Sequence, residues 1–395
     1  MKIKYSVTNK SLFLFAFLLL IISSVFLKIN NHISYILNLL SLIILLRNTD
    51  ITKIVKLPKA LNVFYIILFT YNLILILRLL DNHEGYSWGS YVFHPYMLQS
   101  IFLFFLILSK NNSYVLYLLN KCPYCAIIGI CISIIDIELS IQVVNCYIYF
   151  YIIYINFFFK KNLKEFIILI FTFSIIYYNV FILGNRLILV YLILMQISIF
   201  TIKIFPKIKK ILWYVYILFP FIFVTLLYNY NISLLDTSNF YVKGNRNATE
   251  EMLMADTRTF LFYETKKTLE KNNTVMFGNG LNGLITTSLN SDIDLSVNKK
   301  GERKFIESNI LDLLRRGGVF YFILYSILLI VSSSKLIKSK NKILQTLGFY
   351  IATLFSCSIL GFNHIYNTET ILLMLLISLS NDKLLLAKYS HSPCK

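Results

Sequence analysis

Charged residues are scarce in this sequence: Asp, Glu, Lys and Arg make up only 14% of its 395 residues. A soluble domain carries about a quarter, so the shortage excludes an ordinary soluble fold. Hydrophobic residues make up 57% instead, and the mean hydropathy is +0.69. The composition therefore indicates an integral membrane protein.

Cysteine is absent from the longest polar interval of the chain, residues 231–316, because all six cysteines lie in or near apolar runs. This excludes a disulfide framework for that interval. The segment Cys122-Pro123-Tyr124-Cys125 has the letters of a glutaredoxin redox site. That chemistry requires a soluble βαβ setting and an activated thiolate at a helix start, whereas here the motif lies in an apolar run. We interpret the segment as buried apolar chain, with a redox role as the alternative.

The sequence also lacks a P-loop, the glycines of a dinucleotide-binding fold and an internal repeat. His83 and Glu84 suggest a metal site, and His94, His364 and Glu369 are expected on the same side of the membrane. His83 and Glu84 have no third ligand at a spacing that suits a metal site. We therefore expect neither a metal nor another cofactor.

The sequence contains long apolar runs instead of these motifs. Runs of about 17–22 residues are long enough to cross the hydrocarbon core of a bilayer. The sequence predicts twelve spans, at about 11–29, 32–46, 60–80, 91–109, 114–135, 139–159, 165–183, 187–203, 211–230, 317–333, 343–361 and 366–386.

The predicted fold class is therefore an all-α polytopic membrane protein with about twelve transmembrane helices. One large extracytoplasmic loop separates spans 9 and 10. The chain then divides into residues 1–230 with spans 1–9, residues 231–316 with the loop and the proposed active site, and residues 317–395 with spans 10–12 and the C-terminus.

The excess of positive charge follows these spans. Lys and Arg number 38 against 19 Asp and Glu, a net charge of +19. With a cytoplasmic N-terminus, nearly all of the excess falls in the short cytoplasmic loops, and the interval 231–316 is close to neutral. This is the distribution that the positive-inside rule describes. The charge therefore indicates a multi-pass topology with both termini in the cytoplasm, and it does not indicate a nucleic-acid partner.

The interval 231–316 is too long for a simple connection, and loops of this length are usually functional or structured. Residues 249–271 predict a helix, because Thr249 is a suitable N-cap and acidic residues follow it in the first turn. Asn272 and Asn273 are expected to end it. Its predicted apolar face contains Met252, Leu253, Phe260, Leu261, Tyr263, Thr268 and Leu269.

Two further features follow in the same interval. Gly278 and Gly280 flank one residue in a pattern typical of a tight turn with positive φ, which can bring backbone N–H groups close to a phosphate. Residues 306–314 predict an amphipathic helix that leads directly into the span beginning at Gly317. Its polar residues, Glu307, Asn309 and Asp312, lie off the apolar stripe. We interpret them as a functional surface at headgroup level, with a solvated face of an interfacial helix as the alternative.

Two arginines lie at the ends of predicted spans, on the same side of the membrane as the interval 231–316. Arg186 lies at the outer end of two apolar runs, and Arg78 lies near the outer end of the third. Ionisable residues in such places are rare and indicate a functional role by default. The alternative is that their side chains extend to lipid phosphate.

These segments together resemble the O-antigen and capsule repeat-unit polymerase family (Wzy) and, more distantly, the O-antigen ligases. Members are multispan proteins with one large outside loop late in the chain. The matching pieces are Gly184-Asn185-Arg186, Arg258, Gly278-Asn279-Gly280, the segment from Glu307 to Asp312, and Gly317-Gly318-Val319. The detailed resemblance covers residues 256–320 and the stretch near Arg186. Many relatives carry His where this chain has Glu307, and Ser where it has Asn185.

The resemblance implies polymerisation of polyprenyl-diphosphate-linked oligosaccharide repeat units at the outer face of a bacterial cytoplasmic membrane. The implied reaction is a metal-independent glycosyl transfer that displaces the lipid diphosphate. Expected partners are the lipid-linked oligosaccharide, the bilayer, and chain-length regulator and flippase proteins of the same pathway. The alternatives are a ligase that uses the same donor and a lipid-linked oligosaccharide flippase or other transporter. The long loop counts against transport.

The same resemblance implies roles for single residues. Arg186 and Arg258 are expected to hold the diphosphate, because a guanidinium pairs bidentately with phosphate. Arg78 and Arg316 are further candidates for this role. Glu307 is the expected general base that takes the proton of the attacking sugar hydroxyl.

The remaining site residues are expected to bind substrate without taking part in proton transfer. Asn309 and Asp312 are expected to position sugar hydroxyls. Gly278 and Gly280 are expected to let the backbone approach the diphosphate.

Overall fold

The computed structural model describes residues 2–53, 57–81, 103–109, 186–230, 257–287, 301–303, 308–359 and 368–382, with isolated positions between these ranges. This part of the chain is mostly helical. The helices are α1 (Lys2–Ile29), α2 (Asn31–Leu46), α3 (Lys59–Asp81), α4 (Arg186–Ile204), α5 (Lys209–Tyr230), α6 (Thr257–Lys271), α7 (Asn309–Ile337), α8 (Lys342–Cys357) and α9 (Thr368–Ser380). Short 3-10 turns lie at Ile51–Lys53 and Leu103–Leu108, and two short antiparallel strands, β1 (Ile285–Thr286) and β2 (Glu302–Arg303), pair in the loop.

Three helices of the described ranges are long and apolar enough to cross a membrane, namely α3, α5 and α7. Shorter apolar helices lie at Lys10–Ser23, His32–Leu46, Val190–Ile204 and Thr370–Ser380. The structure thus agrees with an all-α membrane protein. Nearly all of predicted spans 5 to 7, most of span 4 and the segment with His83, His94 and the paired cysteines lie outside the described residues.

The centre of the described bundle is formed by α7, α8 and α9. Every residue of α8 from Leu344 to Cys357 is buried. By contrast, α3 and α5 expose most of their apolar surface: Leu77 is 61% exposed and Ile211 is 63% exposed. Apolar side chains on the outside of a helix bundle are costly in water and favourable in hydrocarbon. This arrangement therefore fits a bundle that is surrounded by lipid.

Polar side chains cap α2 and join it to α1. The side chain of Asn30 accepts hydrogen bonds from the backbone N–H groups of His32 and Ile33, at 2.9 and 3.3 Å, and so caps α2. Further along the pair, the Ser23 hydroxyl donates to Asn38 Oδ1 at 2.7 Å. Hydrogen bonds of this kind hold helices together where lipid removes the hydrophobic drive for their association.

One end of the bundle collects residues from three helices. Lys335 Nζ donates to Asn381 Oδ1 at 2.7 Å, and Asn381 Nδ2 donates to the Tyr65 hydroxyl at 2.7 Å. Asn112 Nδ2 also donates to Asp382 Oδ2 at 3.0 Å. The sequence places residues 335–342 and 382 on one side of the membrane, and their closeness here is consistent with that placement.

Two predicted helices differ from the observed ones. The helix predicted over residues 249–271 is described from Thr257 and ends at Lys271, as expected, while residues 249–256 lie outside the described residues. Its buried face includes Phe262, whereas Tyr263, which was assigned to that face, is 49% exposed. The helix predicted to begin at residue 306 begins at Asn309, with Ser308 in the N-cap position, and it continues into the apolar span as α7.

Helices α7 and α8 approach closely at a small residue. Ser333 Oγ donates to the carbonyl of Gly348 at 2.7 Å. A Cβ atom added to Gly348 would lie 2.6 Å from Ile337 Cγ1 and 2.9 Å from the Ile337 backbone nitrogen. Small residues at such contacts let membrane helices pack backbone to backbone.

We predict that Gly348→Ala lowers the free energy of unfolding by about 1–3 kcal/mol, because the added methyl group forces the two helices apart. Equilibrium unfolding in mixed detergent micelles measures this change. Ile327→Ala, on the exposed side of α7, is the control and should change stability by less than about 0.5 kcal/mol. Equal stability of Gly348→Ala and the wild type would show that the contact is not tight.

Candidate functional site

Helix α7 is broken at Gly318, whose backbone has φ 66° and ψ −168°. In a regular helix, the N–H groups of residues 319 and 320 would donate to the carbonyls of residues 315 and 316. Here Val319 N–H donates to the carbonyl of Val275 at 3.0 Å, and Phe320 N–H donates to the carbonyl of Met276 at 3.2 Å. The break therefore turns two helical donors toward another segment of the chain.

That segment, residues 275–280, is called the inserted turn. It also supplies donors: Asn279 N–H donates to the Arg315 carbonyl at 2.6 Å, and Gly280 N–H donates to the Arg316 carbonyl at 3.0 Å. Both donors and both acceptors released by the break thus have partners in the inserted turn. Because an unpaired backbone group in an apolar interior costs several kcal/mol, the inserted turn makes the break tolerable.

Glycine permits this close contact. Gly278 and Gly280 have φ angles of 65° and 86°, so the positive φ predicted for the pair is confirmed. A Cβ on Gly278 would lie 2.5 Å from backbone atoms of residues 316–318, and a Cβ on Gly318 would lie 2.3 Å from the backbone of Met276. Two backbones meet here with no room for a side chain between them.

Helix α3 holds the inserted turn from the other side. The Tyr71 hydroxyl donates to the Gly317 carbonyl at 2.7 Å and lies 3.2 Å from the carbonyl oxygen of Phe277. Arg78 Nη1 donates to the Phe277 carbonyl and Arg78 Nη2 to the Gly278 carbonyl, each at 2.8 Å. A guanidinium suits this task because its N–H groups form a rigid fork.

A buried charge cluster lies just before the break. Asp312 Oδ1 accepts hydrogen bonds from Arg315 Nε at 3.0 Å and Nη2 at 2.6 Å, and Asp312 Oδ2 lies 2.7 Å from Arg316 Nε. All three side chains are at most 7% exposed. Arg315 Nη1 also donates to the carbonyls of Leu281 and Gly283. Removing such charges from water is costly, so each needs its partners.

The first turn of α7 is fixed to the end of α8. Asn309 N–H donates to the Gly361 carbonyl at 3.3 Å, and Ile310 N–H donates to the Ser358 carbonyl at 3.2 Å. The Ser308 hydroxyl donates to the Ser358 carbonyl at 3.3 Å. The N-terminal N–H groups of one helix thus meet the C-terminal carbonyls of the next, which satisfies groups that helix ends leave open.

The structure brings several predicted site residues together. Arg78, Gly278, Gly280, Asp312 and Arg316 all lie around the break in α7. Asn309 lies at the start of the same helix and is buried.

The structure does not describe the side chains of the remaining predicted site residues. Glu307 lies outside the described residues. Arg186 is the first residue of α4 and Arg258 is the second residue of α6. The side chains of both arginines also lie outside the described part of the chain.

Two of the three residues expected on an exposed polar edge of residues 306–314 are not exposed, and the third, Glu307, lies outside the described residues. Asn309 and Asp312 are buried, because the segment 277–283 and the end of α8 cover the first turns of α7. The Asp312 carboxylate accepts hydrogen bonds from Arg315 and forms an ion pair with Arg316, which leaves it poorly placed for the sugar hydroxyls that it was expected to position. The N–H groups of Asn279 and Gly280 donate to carbonyls, so the geometry gives no support to a phosphate contact through them.

Two residues around the break were missed in the sequence. Tyr71 lies about two helical turns before Arg78, a spacing that puts both on one face of α3, and this signal was legible. Arg315 lies three residues after Asp312, the spacing of an ion pair on a helix. It was overlooked because the segment was interpreted as an amphipathic surface.

Among the described residues, no group of three His, Cys, Asp or Glu side chains could hold a metal ion. The chemistry available around the break is that of buried guanidinium groups, one carboxylate and close backbone contacts.

We predict that Gly278→Ala destabilises the protein by about 3 kcal/mol or more, because the added Cβ would meet the α7 backbone and the backbone has positive φ. Gly280→Ala is the matched control: its φ is also positive, but the nearest atom to an added Cβ is 3.9 Å away. It should cost about 1 kcal/mol. Unfolding in mixed micelles separates close contact from backbone strain, and equal losses would contradict the insertion of the turn.

We also predict that Asp312→Asn destabilises the protein by about 3–5 kcal/mol, because it leaves two buried guanidinium groups without their carboxylate. The amount of protein recovered from the membrane and its unfolding curve measure this. Asp382→Asn, which keeps an oxygen that can accept from Asn112, is the control and should cost about 1 kcal/mol or less. A stable Asp312→Asn protein would mean that the cluster is reached by water.

Comparison of the chain with protein-family models, with curated proteins and with solved structures finds no significant match.

Proposed function

We propose that the protein polymerises polyprenyl-diphosphate-linked oligosaccharide repeat units into capsule or O-antigen at the outer face of a bacterial cytoplasmic membrane. The observation that carries the proposal is the convergence of segments singled out by the family resemblance. The glycine turn at 278–280 and the segment 309–318 meet, and Arg78 reaches them from a position 200 residues before Gly278.

The location of this convergence supports a reaction on a lipid-anchored substrate. The charge cluster lies at the start of α7, a helix whose remaining length is apolar. A polyprenyl chain stays in the hydrocarbon, and its diphosphate and sugars lie at the membrane surface. The reacting carbon of such a substrate therefore lies at the level of a helix end.

The proposed reaction is a single displacement at the anomeric carbon. Glu307 takes the proton from the acceptor hydroxyl as its oxygen bonds to that carbon, and the bond to the diphosphate oxygen breaks with its electron pair. Positioned proton transfer of this kind contributes about 10²–10⁴-fold. Arg186 and Arg258 stabilise the negative charge that grows on the diphosphate, which is often the largest catalytic term.

The fixed start of α7 suits this role for Glu307. Glu307 precedes Ser308 and Asn309, and both of these residues are hydrogen-bonded to the end of α8. A general base must be held within hydrogen-bond distance of its proton, and the two residues that follow Glu307 have a fixed main chain.

We predict that Glu307→Gln and Arg258→Ala each cause single lipid-linked repeat units to accumulate in a strain that makes the polymer. Gln has the size of Glu but cannot take the proton, so the rate should fall at least about 100-fold. Gel separation of the lipid-linked glycans measures their length. Glu302→Gln in the same loop and Lys267→Ala on α6 are matched controls, and both should leave chain length unchanged.

The other outcomes decide between the remaining functions. Unchanged long chains in both variants would contradict the site assignment. Accumulation of long lipid-linked chains without transfer to a final acceptor would identify a ligase. Repeat units that accumulate on the cytoplasmic side of the membrane would identify a flippase.

A further inference from the structure

The face of α3 that meets the inserted turn carries two different groups. Tyr71 is buried and donates to Gly317, the residue just before the break. Arg78 is partly exposed, and its two terminal nitrogens donate to consecutive carbonyls of the inserted turn. The Tyr71 hydroxyl thus contacts the broken helix and, at 3.2 Å, the Phe277 carbonyl of the turn, while Arg78 contacts the turn alone, so α3 joins the two sides of the insertion.

A continuous series of hydrogen bonds leads from this contact to the start of α7. The inserted turn is bonded to Arg315 and Arg316, and Arg315 is bonded to Asp312 one helical turn earlier. Asp312 N–H donates to the carbonyl of Ser308, which follows Glu307. A shift of the inserted turn would therefore move the start of α7, and Glu307 precedes that start by two positions in the chain.

We infer that Tyr71 and Arg78 are positioning residues, which hold the inserted turn in the break and so fix the start of α7 for glycosyl transfer. This inference rests on the proposed function. It gives Arg78 a task other than diphosphate binding, because its guanidinium donates to two carbonyl oxygens of the inserted turn.

The two roles of Arg78 lead to different measurable losses. Binding a diphosphate and holding two carbonyls both use the planar fork of the guanidinium, which an ammonium group cannot replace. Loss of diphosphate binding raises KM and leaves amide exchange of the inserted turn unchanged. Loss of positioning raises that exchange and lowers kcat, so Arg78→Lys separates the two roles when both quantities are measured.

Tyr65 provides a matched control for Tyr71. It lies on the same helix, is 1% exposed, and its hydroxyl accepts from Asn381 at the opposite end of the bundle. Tyr65→Phe removes a buried hydroxyl, as Tyr71→Phe does, but it does not alter the inserted turn.

The experiment uses the full-length protein in lipid nanodiscs, with wild type, Tyr71→Phe, Arg78→Lys and Tyr65→Phe. Hydrogen exchange of the peptide spanning 275–281 reports on the Asn279 and Gly280 amides, and turnover of a lipid-linked repeat unit gives kcat and KM. We expect Tyr71→Phe and Arg78→Lys to raise amide exchange about 3- to 10-fold. They should lower kcat about 10-fold with little change in KM, because reacting groups are misplaced. Tyr65→Phe should change neither quantity.

Each arm can overturn the inference. It fails if Tyr71→Phe behaves as Tyr65→Phe, or if exchange rises while kcat stays at the wild-type value. A raised KM for Arg78→Lys with normal exchange would show that Arg78 binds substrate and does not position the turn. Wild-type protein that joins no repeat units would overturn the proposed function itself, and the exchange data would still decide whether α3 holds the inserted turn.

Discussion

A helix broken inside an apolar protein needs new partners for the backbone groups that the break releases, because neither lipid nor packed side chains can supply them. In this protein the inserted turn supplies them, with two donors and two acceptors matched to residues 315, 316, 319 and 320. The arrangement around the break follows from this requirement. Two glycines allow the backbones to touch, and α3 contributes the side chains that keep them together.

The charged residues near the break are buried too, and they also need partners within the protein. Arg315 donates to carbonyls beyond the inserted turn, at Leu281 and Gly283, and so joins the helix to the rest of the loop. Asp312 balances part of the positive charge that this arrangement buries. A polar interval that would be expected to face water is therefore partly interior, and its charges serve structure as well as any substrate.

The helical class could be predicted from the sequence because apolar runs are a local signal: α2, α3, α4 and α5 each begin and end within two residues of a predicted span. The positive φ angles at Gly278 and Gly280 could also be predicted, because a pair of glycines around one residue is likewise a local signal. The burial of Asp312 could not be predicted from the sequence, because the residues that cover it lie about thirty positions away in the chain. Tyr71 was missed because its spacing from Arg78 indicates a shared helix face but does not indicate its partner, the Gly317 carbonyl.

The order of the chain gives the insertion a consequence for biosynthesis. Residues 275–280, which fill the break, and α3, which holds them there, both precede α7, so they leave the ribosome before the helix that needs them. The carbonyls that receive the first N–H groups of α7 lie at Ser358 and Gly361, which are made afterwards. Because the N-terminal parts of a chain fold first during synthesis, the middle of α7 can be completed while its beginning still awaits its partners.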